Sequence, residues 1–264
     1  MKLELKRLMT LLHELDMLLC LAEFNHRNGL VNPEILSEEP VQFAAQDLRH
    51  LFLLKGRGND VHLGEGPSIL FLTGPNMAGK STLLKSIGLA VYLGHLGLGV
   101  PAKSMAFSVL GGMITSIGIS DSLSLGNSYY MSEVKRVKEA ALLAGRVRTC
   151  LLLFDETFKG TNVKDASDAT SALIKALSGL THVIGILSSH LHEVAEELAE
   201  FPNVIPMKME AEEGALAFTY RLEKGVSTQR LGMRLLEEQG ILDLLESIVE
   251  RRSAIYPPLP LGSG

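Results

Sequence analysis

Residues 69–84 read ILFLTGPNMAGKSTLL, and no other stretch limits the fold of this chain as strongly. The apolar run Ile69-Leu70-Phe71-Leu72 leads into a Gly-bounded turn, after which Leu83, Leu84, Ile87 and Val91 recur on one helical face. The order is strand, loop, helix. Within it, Gly74 to Ser81 fits GxxxxGK(S/T), the pattern of a phosphate loop. Such a loop needs glycine because its amides must turn inward around phosphate oxygens, and side chains resist the positive φ this requires. Lys80 then offers a cation to the β- and γ-phosphates, Ser81 offers a hydroxyl to Mg²⁺, and the following helix N-terminus adds its dipole.

A phosphate loop calls for partners at the ends of neighbouring strands. Thr149 to Phe154 is an apolar run of strand length that ends in Asp155-Glu156. Adjacent carboxylates in that position divide the work: Asp155 holds Mg²⁺, directly or through its water, and Glu156 polarises the water that attacks the γ-phosphate. A second apolar run, Val183 to Leu187, is closed by Ser188-Ser189-His190. Taken alone, His190 reads as a strand-end histidine satisfied by a loop carbonyl. The order phosphate loop, Asp-Glu, His, each after its own strand, makes it a γ-phosphate sensor. His190 and His192 as a metal pair lack an evident third ligand.

Around these strands lie helical patterns at about 80–94, 129–146, 163–178 and 191–200, with two more at 228–239 and 241–251. Strands alternating with helices imply an α/β fold with a mainly parallel sheet, whose ligands bind outside the carboxyl ends of the strands. Val204 to Met209 and Leu216 to Leu222 read as a hairpin, Gly56 to Gly66 as a polar glycine-rich stretch. The expected organisation is an N-terminal helical segment and connector at 1–40, an ATPase body at 41–252 and a disordered tail at 253–264. Leu5 to Asn25 is amphipathic, and two readings of its Leu stripe stand: it docks onto the body, or it is the end of a longer helical domain.

The chain has 264 residues, 46% apolar and 21% charged, as in an ordinary globular protein. Its net charge of −5 leaves no excess of Lys and Arg for a nucleic-acid backbone, so any contact with DNA is expected through another segment or partner. Cys20 and Cys150 have no metal-type spacing and read as buried free thiols. No uncharged run approaches the ~20 residues that span a bilayer. A cytoplasmic protein with no membrane partner is expected.

GPNMAGKST, VPA at Val100 to Ala102, GISDSLSLGNSYYMSE from Gly118, LLLFDETFKGTN from Leu151 and SSHLHEV from Ser188 resemble the C-terminal ABC-type ATPase domain of the MutS mismatch-repair family. The order and approximate spacing agree over about residues 55–240. The resemblance implies a P-loop NTPase fold that binds ATP or ADP with Mg²⁺ along Gly74, Pro75, Asn76, Met77, Ala78, Gly79, Lys80, Ser81 and Thr82. It implies a homodimer, or a dimer with a related MutS-like protomer, closing over ATP, with Ser128 of one protomer reaching the γ-phosphate held by the other. As a sequence feature alone, Ser128 also suits a helix N-cap. Asn59 falls where the family places an asparagine near the base, and Thr161 and Asn162 match interface residues. Several features depart from the family, including Ser116 and Gly112 where arginines are usual and a loosely matching VSTQRLG near Val226. Ala78 replaces a glycine, Lys159 an arginine, and Gly56-Arg57 supply no aromatic platform for adenine.

The expected activity is hydrolysis of ATP to ADP and phosphate, coupled to dimerisation and, in a larger assembly, to mismatch repair or related DNA transactions. The alternative is a nucleotide-binding dimerisation module with little turnover and no mismatch-repair role. A P-loop kinase explains neither Asp155-Glu156 nor His190.

Overall fold

The computed structural model describes residues 2–37, 39–118, 129–198, 201–212, 217–229 and 232–255. The chain divides into two compact units, residues 1–227 and 228–264. The larger unit opens with α1 (Lys2–Asn28), which buries none of its residues. Gly29 ends it at φ 62. Leu30 N–H reaches Asn25 O at 2.9 Å and Gly29 N–H reaches His26 O at 3.4 Å, the paired bonds that close a helix through a left-handed residue. Leu5, Leu8, Leu12, Leu15 and Leu19 are all exposed, so the stripe is not docked on this chain.

The principal sheet has the order β10-β9-β4-β8-β7-β6. Its strands are β4 (Ile69–Thr73), β6 (Gly112–Ser116), β7 (Cys150–Asp155), β8 (Val183–Ser189), β9 (Val204–Lys208) and β10 (Glu223–Lys224). All neighbours pair in parallel except β10, which runs antiparallel to β9. The central strands read as continuous apolar runs because both of their faces are covered. Leu70, Leu72, Leu151, Leu153, Ile184 and Ile186 belong to one core, with α2 (Lys80–His95) packed over them. Ile69, Phe71, Leu152, Phe154 and Leu187 belong to the other, with α3 (Tyr129–Ala144), α4 (Val163–Ser178) and α5 (His192–Glu197) on that side. Leu152 is fully buried. Leu152→Ala is expected to lower unfolding free energy by about 2–5 kcal/mol, read from urea denaturation.

A second sheet, of order β1-β5-β2-β3, extends the first core. It comprises β1 (Glu34–Leu36), β2 (Phe43–Leu48), β3 (Asn59–Leu63) and β5 (Ser104–Ser108). Two of these strands lie where the sequence reads otherwise. β1 falls within the connector expected at 31–40 and pairs in parallel with β5. β3 falls within the glycine-rich stretch, where Val61 and Leu63 are buried and Asp60 and His62 exposed, the alternation of a half-covered strand.

The hairpin expected of Val204 to Met209 and Leu216 to Leu222 has its arms paired antiparallel, but the strand bounds of its second arm differ. Leu216 lies outside the described residues, and the antiparallel partner of β9 is the two-residue β10. Nearer the turn, Ala211 and Phe218 form an antiparallel bridge, with Glu212 N–H reaching Ala217 O at 2.7 Å and Thr219 N–H reaching Glu210 O at 3.1 Å. Between these pairings the chain is held by a side chain instead: Asn59 Oδ1 accepts from Leu222 N–H at 2.7 Å, and Asn59 Nδ2 donates to Tyr220 O at 3.0 Å. The segment is thus tied toward β3.

The smaller unit holds α6 (Gly232–Glu238) and α7 (Ile241–Ile255), joined through Gly240 at φ 63. α7 continues past the expected end at Arg251. Among the described residues no helix is long and apolar enough to cross a membrane. Cys150 is buried and free, its thiol pushed up to about 11 by that burial. Cys20, expected buried, is exposed because α1 covers nothing.

Candidate functional site

β4 delivers the phosphate loop, and the loop's shape follows from three backbone positions. Gly74 has φ 150, and a Cβ there would stand 2.2 Å from Met209 O, so only glycine fits. Gly79 has φ 103 and caps α2 without a side-chain bond, leaving first-turn amides for a ligand. The third left-handed residue is Met77, at φ 69 with its side chain exposed. Ala78 is fully buried and is not in the left-handed region, so the alanine carries no such strain.

Lys80, the first residue of α2, is 4% exposed. Its Nζ donates to Gly74 O at 2.8 Å and Pro75 O at 3.0 Å, and stands 3.1 Å from Glu156 Oε1. Glu156 follows β7 and also pairs with Lys159. Burial opposes ionisation of Glu156, but the hydrogen bond from Lys159 and the charges of Lys80 and Lys159 outweigh it, holding the carboxyl below its ordinary range. Lys159 keeps the family arginine's charge and spends it on this carboxylate.

Ser188, on the neighbouring strand β8, fixes both acids. Its Oγ donates to Asp155 Oδ1 at 2.6 Å and accepts from Glu156 N–H at 3.0 Å. The same amide also reaches Ser188 O at 3.0 Å. Asp155 and Glu156 are thereby split, one carboxylate held by a hydroxyl and the other by two ammonium groups.

These groups share one cavity of about 640 Å³, within the size range of ligand pockets. Asn76, Lys80, Ser81, Thr82, Asp155 and Glu156 line one part of it. Met77, Gly79 and Lys159 also line it, as do Leu48, His50, Leu53, Arg57, Asn59 and Tyr220. Asn59 lines the cavity with its amide already committed to the Tyr220 and Leu222 backbone, so it shapes the wall. Tyr220 is the aromatic group the sequence did not reveal: its ring lies against Gly79, with Cδ1 3.2 Å from where a Cβ would be. Gly74, Pro75 and Ala78 are not among the residues that line it.

His190 stands exposed just past β8 and lines a separate cavity of about 50 Å³ with Glu156, Thr157 and Ser189. It therefore neighbours the Glu156 turn without lining the large cavity. Asn162 caps α4, its side chain accepting from Asp165 N–H at 2.9 Å, and Thr161 Oγ1 donates to Asp165 at 3.4 Å. Ser128 lies outside the described residues. Among the described residues no group of three or more His, Cys, Asp and Glu side chains is arranged to hold a metal. The hydroxyl of Ser81 and the carboxylate of Asp155 are hard oxygen donors on one cavity, a set that suits Mg²⁺ completed by water and phosphate.

The profile of MutS domain V matches residues 70–257. The chain belongs to the MutS family. Domain V is the ATPase domain of that family, and the phosphate loop, Asp155 and Glu156 of this MutS-type chain fall within the match. Similar relatives include the DNA mismatch repair protein MutS of Bacillus pumilus, 30% identical over 95% of this chain and 29% of the relative. That of Anaplasma phagocytophilum is 33% identical over 84% of this chain and 27% of the relative. That of Bacillus licheniformis is 30% identical over 98% of this chain and 30% of the relative. The chain thus spans less than a third of the length of these MutS relatives.

Proposed function

We propose that this chain is a MutS-type ATPase module that binds ATP with Mg²⁺, hydrolyses it to ADP and phosphate, and couples nucleotide state to dimerisation. The observation that carries this reading is the convergence of Lys80, Ser81, Asp155 and Glu156 on one cavity at the carboxyl ends of β4 and β7. Lys80 and the amides of Gly79 to Thr82 bind the phosphates. Ser81 and Asp155 hold Mg²⁺, which when bound neutralises charge on the β- and γ-phosphates. Glu156 orients a water against the γ-phosphorus, whose bond to the bridging oxygen breaks as ADP leaves. His190 senses the γ-phosphate from the neighbouring strand end, and Ser128 of a second protomer completes the site in trans. Tyr220 offers its ring to the base.

In a larger assembly such a module serves DNA mismatch repair or a related DNA transaction, with DNA held by other segments. The relatives' names support that setting.

One observation favours the second reading, a nucleotide-binding dimerisation module with little turnover. Glu156 is engaged by Lys80 and Lys159 together, and a carboxylate so held is a poor base until nucleotide draws Lys80 away. Phosphate release measured beside sedimentation without nucleotide, with ADP and with ATP separates the two. Steady turnover with an ATP-dependent shift to dimer is expected. ATP-dependent dimers without phosphate release leave only the second reading, and no response to nucleotide removes both.

A further inference from the structure

The geometry points to Glu133 as a positioning residue for hydrolysis: its carboxylate grips the turn that follows Glu156 and so sets where that acid stands. This inference rests on the ATPase reading above. Glu156 has φ 49 and Phe158 φ 68, left-handed conformations in non-glycine residues. Each is a strained conformation that persists only where the surroundings over-determine it.

Two sets of contacts do so here. On the strand side, Ser188 accepts the Glu156 amide. On the helix side, Glu133 of α3, 2% exposed, accepts Lys159 N–H through Oε1 at 3.3 Å and Gly160 N–H through Oε2 at 3.4 Å. The same turn leans on α3 elsewhere. The Phe158 and Tyr130 ring centroids are 6.1 Å apart, and a Cβ on Gly160 would stand 2.6 Å from Tyr130 N.

A buried carboxylate is an expensive way to hold a helix against a turn, because the charged form loses its hydration. Burial pushes the Glu133 carboxyl up, against the pull of the Gly160, Lys159 and Phe158 amides and the Lys159 charge. What the carboxylate provides, and a neutral apolar side chain would not, is two oxygens accepting from consecutive amides at once.

Glu133→Gln keeps the size and places an NH₂ against one of those amides. Its kcat is expected to fall about 10- to 100-fold, the scale of a misplaced catalytic group, with KM for ATP within about threefold. In a Glu156→Gln background the same substitution should lower residual turnover no further, because it acts through Glu156. Gly160→Ala, which pushes the turn off Tyr130, should reproduce the kcat loss and guards against a Glu133→Gln protein that does not fold. Calorimetric ATP binding checks folding in every variant.

Equal losses in both backgrounds, or Glu133→Gln and Gly160→Ala proteins that turn over like the parent while Glu156→Gln is dead, overturn the role of Glu133 alone. A parent chain without turnover, or one that Glu156→Gln leaves unchanged, removes the ATPase reading and the Glu133 role with it.

Discussion

Lys80→Ala is expected to weaken ATP binding by roughly 100-fold or more, since charge-assisted hydrogen bonds are worth about 1.5–3 kcal/mol each. The lysine is nearly inaccessible, folded onto Gly74 O and Pro75 O with Glu156 as its counterion. A cation kept dry beside a ring of amides is placed for an anion of higher charge than one carboxylate, and phosphate oxygens are expected to displace the two carbonyls when nucleotide enters. Removing the ammonium also leaves both carbonyls without their donor and Glu156 with Lys159 alone. Calorimetry with Mg²⁺ and ATP reads the loss directly. A dissociation constant within about threefold of the parent would show that phosphates do not sit on this loop, since a lost ammonium contact alone exceeds that.

Glu156→Gln separates binding from chemistry. Turnover is expected to fall by about 10²- to 10⁴-fold, the range for loss of a positioned general base, while ATP binding persists and ATP-bound dimers accumulate. The amide is nearly isosteric and cannot take a proton from water. It also releases Lys80 and Lys159 from their shared carboxylate, so affinity for ATP should be unchanged or higher. Quenched-flow phosphate release together with sedimentation in ATP gives both quantities. Hydrolysis at the parent rate would move the base elsewhere, His190 being next in line through the small cavity it shares with Glu156.

The strongest readings from the chain came from contacts between residues close in sequence. Gly74 to Ser81 is one contiguous turn whose chemistry is written in its spacing, and α4 runs over Val163–Ser178 as its helical pattern predicts. The central strands β4, β7 and β8 were legible because a strand buried on both faces must be apolar throughout. The second sheet was not. β1 has three residues, and the alternation of Val61 and Leu63 with Asp60 and His62 in β3 is too brief and too enclosed by glycines to stand out until β2 lies beside it.

The same contrast runs through the site. Ala78 replaces the family's glycine without strain, because the loop places its left-handed residue one position earlier, at Met77, which the sequence does not mark. Tyr220 reaches the cavity because Asn59, 161 residues away in the chain, holds its carbonyl. Glu133 meets the Lys159 amide across 26 residues. Sequence by itself determined the phosphate loop, the two acids and the order of strands that carry them, because each is a short-range pattern. Tertiary structure alone decided which aromatic ring faces the cavity, which lysines hold Glu156 and what grips its turn, because those depend on surfaces that meet only when the sheets close.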